Sequence, residues 1–185
     1  GRSAVENTLT LGIDYTPCNT IKLQEMIDNA NSGDIIKFSC GNEYKLILTN
    51  MIWIEKSLTI DGENNIILDG NGLYRQFIVG GKNTKWGVHA GLPIHSENII
   101  FNLKNINLIN GGGNTIYIGR RVNWGNPSCN DNCYNSRNNV NGCNINTCYT
   151  LKNDGGCLYL GKNINAIIDK VNFINCQSNG NPIYY

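Results

Sequence analysis

The stretch Lys170-Val171-Asn172-Phe173-Ile174-Asn175-Cys176, continued by Gly180-Asn181-Pro182-Ile183-Tyr184-Tyr185, restates an earlier one. That one is Asn105-Ile106-Asn107-Leu108-Ile109-Asn110, continued by Gly113-Asn114-Thr115-Ile116-Tyr117-Ile118. Each copy places a β-rich segment, an Asn-bearing corner, a Gly-Asn turn and a second β-rich segment in the same order. Internal repetition of this kind marks stacked architectures, in which a unit buries its apolar face only against its neighbours.

The repeat supplies a ruler. Leu158 in Gly155-Gly156-Cys157-Leu158-Tyr159-Leu160 and Ile183 in Pro182-Ile183-Tyr184 head equivalent segments 25 residues apart. Phe77 to Ile116 spans 39 residues and Ile116 to Leu158 spans 42. Setting aside 14 residues at 84–97 and 17 at 121–137 as insertions brings both to 25. The spacing predicts an all-β fold, a parallel β-solenoid of about 25 residues per coil. Asn110 and Asn175 then recur at one corner, where an inward amide reaches the stacked backbone. The last coil begins at Ile183 and leaves an edge for further coils, a partner or another segment to cover, so the chain reads as a piece of a longer one.

Upstream the pattern changes. Leu9-Thr10-Leu11-Gly12-Ile13 alternates like a short strand. Thr20 is placed to cap a helix whose apolar residues Leu23, Met26, Ile27 and Ala30 lie at i, i+3, i+4 and i+7, and Asn31-Ser32-Gly33-Asp34 ends it. Short β-rich segments follow at Ile35–Phe38, Leu46–Leu48, Leu58–Ile60, Ile66–Leu68 and Phe77–Val79. The expected organisation is a single domain, with an N-terminal strand and helical cap at 1–34 and coils over 35–185.

Composition narrows the function. The chain has 185 residues, a net charge of +1 and 16% charged residues, without a basic run, so nucleic acid is not an expected partner. No apolar run approaches the roughly 18 residues of a membrane span, so membrane insertion is not expected either. Eight cysteines fit neither common zinc spacing and point to disulfides in a secreted or cell-surface protein. The register pairs Cys148 with Cys176, and the flanks of the helix pair Cys18 with Cys40. Cys129, Cys133, Cys143 and Cys157 are left to pair around the second insertion in an open order.

Leu23-Gln24-Glu25-Met26-Ile27, Gly33-Asp34-Ile35-Ile36-Lys37-Phe38, Leu58-Thr59-Ile60-Asp61-Gly62 and Ile67-Leu68-Asp69-Gly70 resemble the opening of the pectate-lyase-like right-handed parallel β-helix superfamily. Residues 98–185 are similar to the repeats of polymorphic outer-membrane-type extracellular adhesins, through Gly155-Gly156-Cys157-Leu158-Tyr159 and Phe173-Ile174-Asn175. The resemblance implies a right-handed β-helix with an N-terminal capping α-helix. It also opens an alternative, a divergent polysaccharide lyase or hydrolase acting on plant or microbial cell walls. A lyase of that kind uses a base beside a carboxylate, with Ca²⁺ as its one possible cofactor. Its Arg-x-Pro-x-x-Arg run is absent, as are the hydrolases' Asn-Thr-Asp, Asp-Asp, Gly-His-Gly and Arg-Ile-Lys motifs. Asp61 and Asp69 sit in Asp-Gly turns and read as structural corners. No catalytic residue and no metal ligand is assigned.

The insertions carry the alternative to catalysis. Both are expected to leave the coil after the same strand, Phe77–Val79 on one turn and Ile116–Ile118 on the next, and so to lie side by side. Trp86, His89 and His95 in the first, with Arg120, Arg121, Trp124 and Tyr134 at the second, are the candidate binding residues, since Trp, Tyr and Arg are the usual interface anchors. The expected function is a non-catalytic extracellular binding or scaffold module, in an adhesin or cell-wall setting, whose partner is another extracellular protein or a polysaccharide.

Overall fold

The computed structural model of the protein describes residues 6–80, 98–112, 156–161, 164–177 and 183–184. Helix α1 (Thr20–Asn29) is capped one residue earlier than expected: the Asn19 side chain accepts a hydrogen bond from the Lys22 N–H at 2.8 Å. Thr20 is buried, and its hydroxyl accepts from the Thr49 N–H at 2.9 Å. Leu23, Met26 and Ile27 form the buried face, as the i, i+3, i+4 spacing requires.

The strands are β1 (Thr8–Leu11), β2 (Ile35–Phe38), β3 (Tyr44–Ile47), β4 (Ile52–Ile54), β5 (Leu58–Asp61), β6 (Ile66–Asp69), β7 (Phe77–Val79), β8 (Ile99–Ile109), β9 (Leu158–Leu160), β10 (Ile164–Ile174) and β11 (Ile183–Tyr184). They form two parallel sheets. The seven-stranded sheet runs β1-β2-β5-β8-β6-β3, with β10 also on β8, and the four-stranded sheet runs β11-β9-β7-β4. Two sheet neighbours, β5 and β6, lie on β8 because β8 turns at Asn105, whose φ is 54°. Leu58–Asp61 pair with Phe101–Lys104 before the turn, and Ile67–Asp69 with Asn107–Ile109 after it. β10 follows β8 along its length and turns at Lys170, opposite Asn105, with a φ of 54°.

The core lies between the sheets. Ile36, Ile60 and Leu103 form one buried column in register, and Leu46, Leu68 and Leu108 another. Ile52, Ile54, Phe77, Val79, Leu158 and Leu160 face them from the four-stranded sheet. Phe77 and Phe101 meet edge to face across this space, ring centroids 6.0 Å apart. The four-stranded sheet is buried on its other face as well, where Met51, Trp53, Ile78 and Tyr159 cluster. Helix α1 packs on β1 and β4, and Gln24 acts toward β4 as a strand would. Its Oε1 accepts from the Trp53 N–H at 2.8 Å and its Nε2 donates to the Trp53 carbonyl at 3.1 Å.

These pairings correct the expected right-handed parallel β-helix of about 25 residues per coil. Among the described residues no closed solenoid is present; there are two parallel sheets and one short helix. Paired residues are 22 to 25 apart for β3–β6, β2–β5 and β4–β7, but 40 to 43 apart where β8 joins β6 and β5. The separation reaches 65 for β8–β10 and 81 for β7–β9. The reason is that parallel pairing requires only that the chain return to the sheet edge in the same direction, with a crossover of any sufficient length. Equivalent hydrophobic patterns identify similar strands without saying which of them are neighbours. Phe77 pairs directly with Leu158, 81 residues on, where the uniform coil expected Ile116; Ile116–Ile118 lie outside the described residues.

The same correction moves a disulfide. Cys18 pairs with Cys40 as expected, whereas Cys176 pairs with Cys157 rather than Cys148, at a Cα separation of 5.3 Å. Glycine makes the approach possible: a Cβ on Gly156 would meet the Cys176 backbone at 2.8 Å. Cys129, Cys133, Cys143 and Cys148 lie outside the described residues.

Phe101 is fully buried and Ile100 is 48% exposed on the adjacent position of the same strand. Phe101→Ala is therefore expected to lower unfolding free energy by about 3–5 kcal/mol and Ile100→Ala by about 0.5 kcal/mol or less in urea titrations. Peptide mapping without reduction should recover the Cys18–Cys40 and Cys157–Cys176 links.

Candidate functional site

The corners of the seven-stranded sheet are built from carboxylates and amides. Asp61 Oδ1 accepts from the Glu63 N–H at 2.9 Å and from Asn105 Nδ2 at 3.0 Å. Asp69 Oδ1 accepts from the Asn71 N–H at 2.8 Å and from Asn110 Nδ2 at 3.2 Å. Both are Asx turns, in which a side-chain oxygen takes the place of a turn carbonyl. The ladder continues outward: Asn175 Nδ2 donates to Asn110 Oδ1 at 2.9 Å, and Gln177 Nε2 to Asn175 Oδ1 at 2.9 Å. Asn110 and Asn175 do share a corner, with φ of 53° and 55°, but their amides bond the neighbouring side chains in the expected place of backbone. Asp34 is buried and accepts from the Asn7 and Asn31 N–H groups at 3.2 and 2.8 Å.

The outer face of this sheet mixes polar and charged residues with the exposed isoleucines Ile47, Ile100, Ile167 and Ile174. In register, Asp61 stands beside Lys104 and Lys104 beside Asp169, while Lys45, Ile67, Asn107 and Asn172 form a second column. Lys104 Nζ and Asp61 Oδ2 are 4.0 Å apart, and Lys37 Nζ and Glu63 Oε1 3.4 Å. Exposed pairs of this kind contribute at most about 1 kcal/mol each. Asn172 Nδ2 donates to Asn107 Oδ1 at 2.7 Å.

A cleft of about 340 Å³ lies beside α1, lined by Ile27, Asp28, Trp53, Glu55 and Lys56. Lys56 Nζ is committed there to the Asp28 and Ala30 carbonyls, at 3.0 and 2.6 Å, so it closes the helix C-terminus. Among the described residues there is no group of three or more His, Cys, Asp or Glu side chains arranged to hold a metal, and no helix long and apolar enough to cross a membrane.

Trp86, His89, His95, Arg120, Arg121, Trp124 and Tyr134 all lie outside the described residues. The described residues run to Gly80 and from Asn98 to Gly112, and resume at Gly156, so both expected insertions lie outside them.

No family model, no curated protein and no solved structure matched the chain.

The amide ladder is open to a direct test. Asn110→Ala loses both side-chain bonds and forces a Cβ-bearing residue without a compensating amide into positive φ, at a total cost of about 2–3 kcal/mol. Asn110→Gly loses the bonds alone and costs about 1 kcal/mol. Chemical denaturation of both variants should show that order.

Proposed function

We propose that the protein is a non-catalytic extracellular binding or scaffold module, which takes a protein or a glycan through the segments at 84–97 and 121–137. The observation that carries this reading is the use of the framework's carboxylates. Asp34, Asp61 and Asp69 each accept two hydrogen bonds that close a turn or a corner, so each serves as a structural support. A frame of that kind presents its long connections instead of doing chemistry itself. Two disulfides support an oxidising compartment, and with it a secreted or surface location. The similarity of residues 98–185 to extracellular adhesin repeats supports the same setting.

Within those segments Trp86, Trp124 and Tyr134 are the anchors, with flat rings suited to a sugar face or a protein pocket, and Arg121, with Arg120 just ahead of the second segment, supplies charge-assisted hydrogen bonds. His89 and His95 contribute polar contacts. Each segment is tested separately.

Binding to a panel of plant and microbial cell-wall polysaccharides, and to surface proteins of cells that carry them, should be measured by calorimetry or biolayer interferometry. Trp86→Ala or Trp124→Ala should weaken the bound partner by roughly 30-fold, the usual effect of losing an aromatic anchor. If neither changes it, these segments are not the site. Incubation with uronate polymers, with and without Ca²⁺, should release no product; turnover would replace the binding reading with the polysaccharide-active enzyme.

A further inference from the structure

Residues 113–155 lie between Gly112 and Gly156, and the chain on either side of them is brought together. A Cβ on Gly111 would run into the Gly156 carbonyl oxygen and the Cys157 sulfur, so the outgoing and returning backbones are in direct contact. Glycine at both positions is what permits the approach.

Two other parts of the chain hold this contact from either side. On one side the Tyr74 carbonyl accepts from the Gly112 N–H at 3.1 Å, and the Gln76 and Phe77 N–H groups donate to the Cys157 carbonyl at 2.8 and 3.2 Å. On the other side the Gln177 N–H donates to the Gly111 carbonyl at 2.9 Å, and Cys176 carries the disulfide to Cys157. Gly112 and Gln177 also form an isolated parallel bridge. Two consecutive residues, Cys176 and Gln177, thus take one end each, one covalently and one through the backbone. Both lie beyond the register of β10 on β8, which runs from Ile164 to Ile174. What they join is the pair of ends.

A connection whose ends are pinned together has fewer conformations than one whose ends are free, and a partner that binds it has less left to order. We propose that Cys176 and Gln177 form a clasp on the two ends of residues 113–155, and that the clasp preorganises this segment for the partner taken by Arg121, Trp124 and Tyr134. The preorganisation rests on the binding reading given above; the clasp itself does not. Cys157, Cys176 and Gln177 are positioning residues.

Two variants of the whole chain test it. Cys157→Ala/Cys176→Ala removes the covalent half of the clasp. Gly111→Ala drives a methyl group between the two ends and leaves every cysteine in place. Amide hydrogen exchange reads the clasp without any ligand. In both variants the Gly112 and Gln177 amides should exchange about tenfold faster than in the parent, while Ile60 and Leu103, in the buried columns, keep the parental rate. Affinity for the cell-wall polysaccharide or surface protein that the parent binds should fall about tenfold. Trp124→Ala should lose affinity with Gly112 and Gln177 still protected. Unchanged exchange at Gly112 and Gln177 in both variants overturns the clasp. Equal loss of protection at Ile60 and Leu103 overturns it too, since the disulfide then supports the whole frame. Faster exchange at the clasp with full affinity overturns the preorganisation. A parent that binds none of these polysaccharides or proteins defeats the binding reading and the preorganisation with it, and the exchange rates still decide the clasp.

Discussion

Strand β8 can serve two neighbours on one edge only because Asn105 turns it. β5 and β6 are separate strands joined by a tight connection at Gly62–Asn65, and they meet β8 on either side of that residue. A left-handed backbone suits Gly, Asn and Asp far better than other residues. Asn105 adds a tether, since its amide donates to Asp61 at the end of β5. The turn must recur in every strand stacked on it. Glu63 and Asn64 have φ of 51° and 59°, and Lys170 has 54°. Moving the turn by one residue in one strand would flip every inward side chain beyond it. The columns Ile36-Ile60-Leu103 and Leu46-Leu68-Leu108 therefore depend on a small set of backbone angles.

Burial on both faces raises the cost of any unpaired polar group. The fold meets that cost with side chains that imitate backbone. Gln24 pairs with Trp53 at the edge of β4. Gln76, fully buried, donates to the Leu68 and Ile109 carbonyls at 3.1 and 2.7 Å, while its own N–H bonds the Cys157 carbonyl at 2.8 Å. One residue thereby joins β6, β8 and the approach to β9. The surface charges contribute less, because they sit in water and are screened.

Much of the local structure was legible because local pattern dictates it. The i, i+3, i+4 spacing located α1, and β-rich runs between Gly, Asn and Asp corners located β2, β5 and β7. The helix cap slipped by one because Asn19 and Thr20 are both cap-forming residues, and the Thr49 N–H claims the Thr20 hydroxyl. Asn110 and Asn175 were legible as corners because Asn tolerates positive φ. What sequence could not supply was strand adjacency. Nothing in Phe77-Ile78-Val79 distinguishes Leu158 from Ile116 as a neighbour, and from that one choice followed the uniform coil and the Cys148–Cys176 link. The Trp, His, Arg and Tyr candidates were readable only as residue types, because a long connection between strands has no period to set its geometry.

The two sides of the molecule solve the edge problem differently, and the difference lies in charge. At β4 the helix lays Gln24 along the strand, and Lys56 holds the helix end to the chain beneath it. At β3 the edge presents Lys45, a charge that meets the same charge on a second copy in any symmetric pairing across that residue. At β10 the turn presents Asp169 and Lys170 together. The turn at Lys170 keeps the inward residues of β10 in phase with those of β8 on both sides of it.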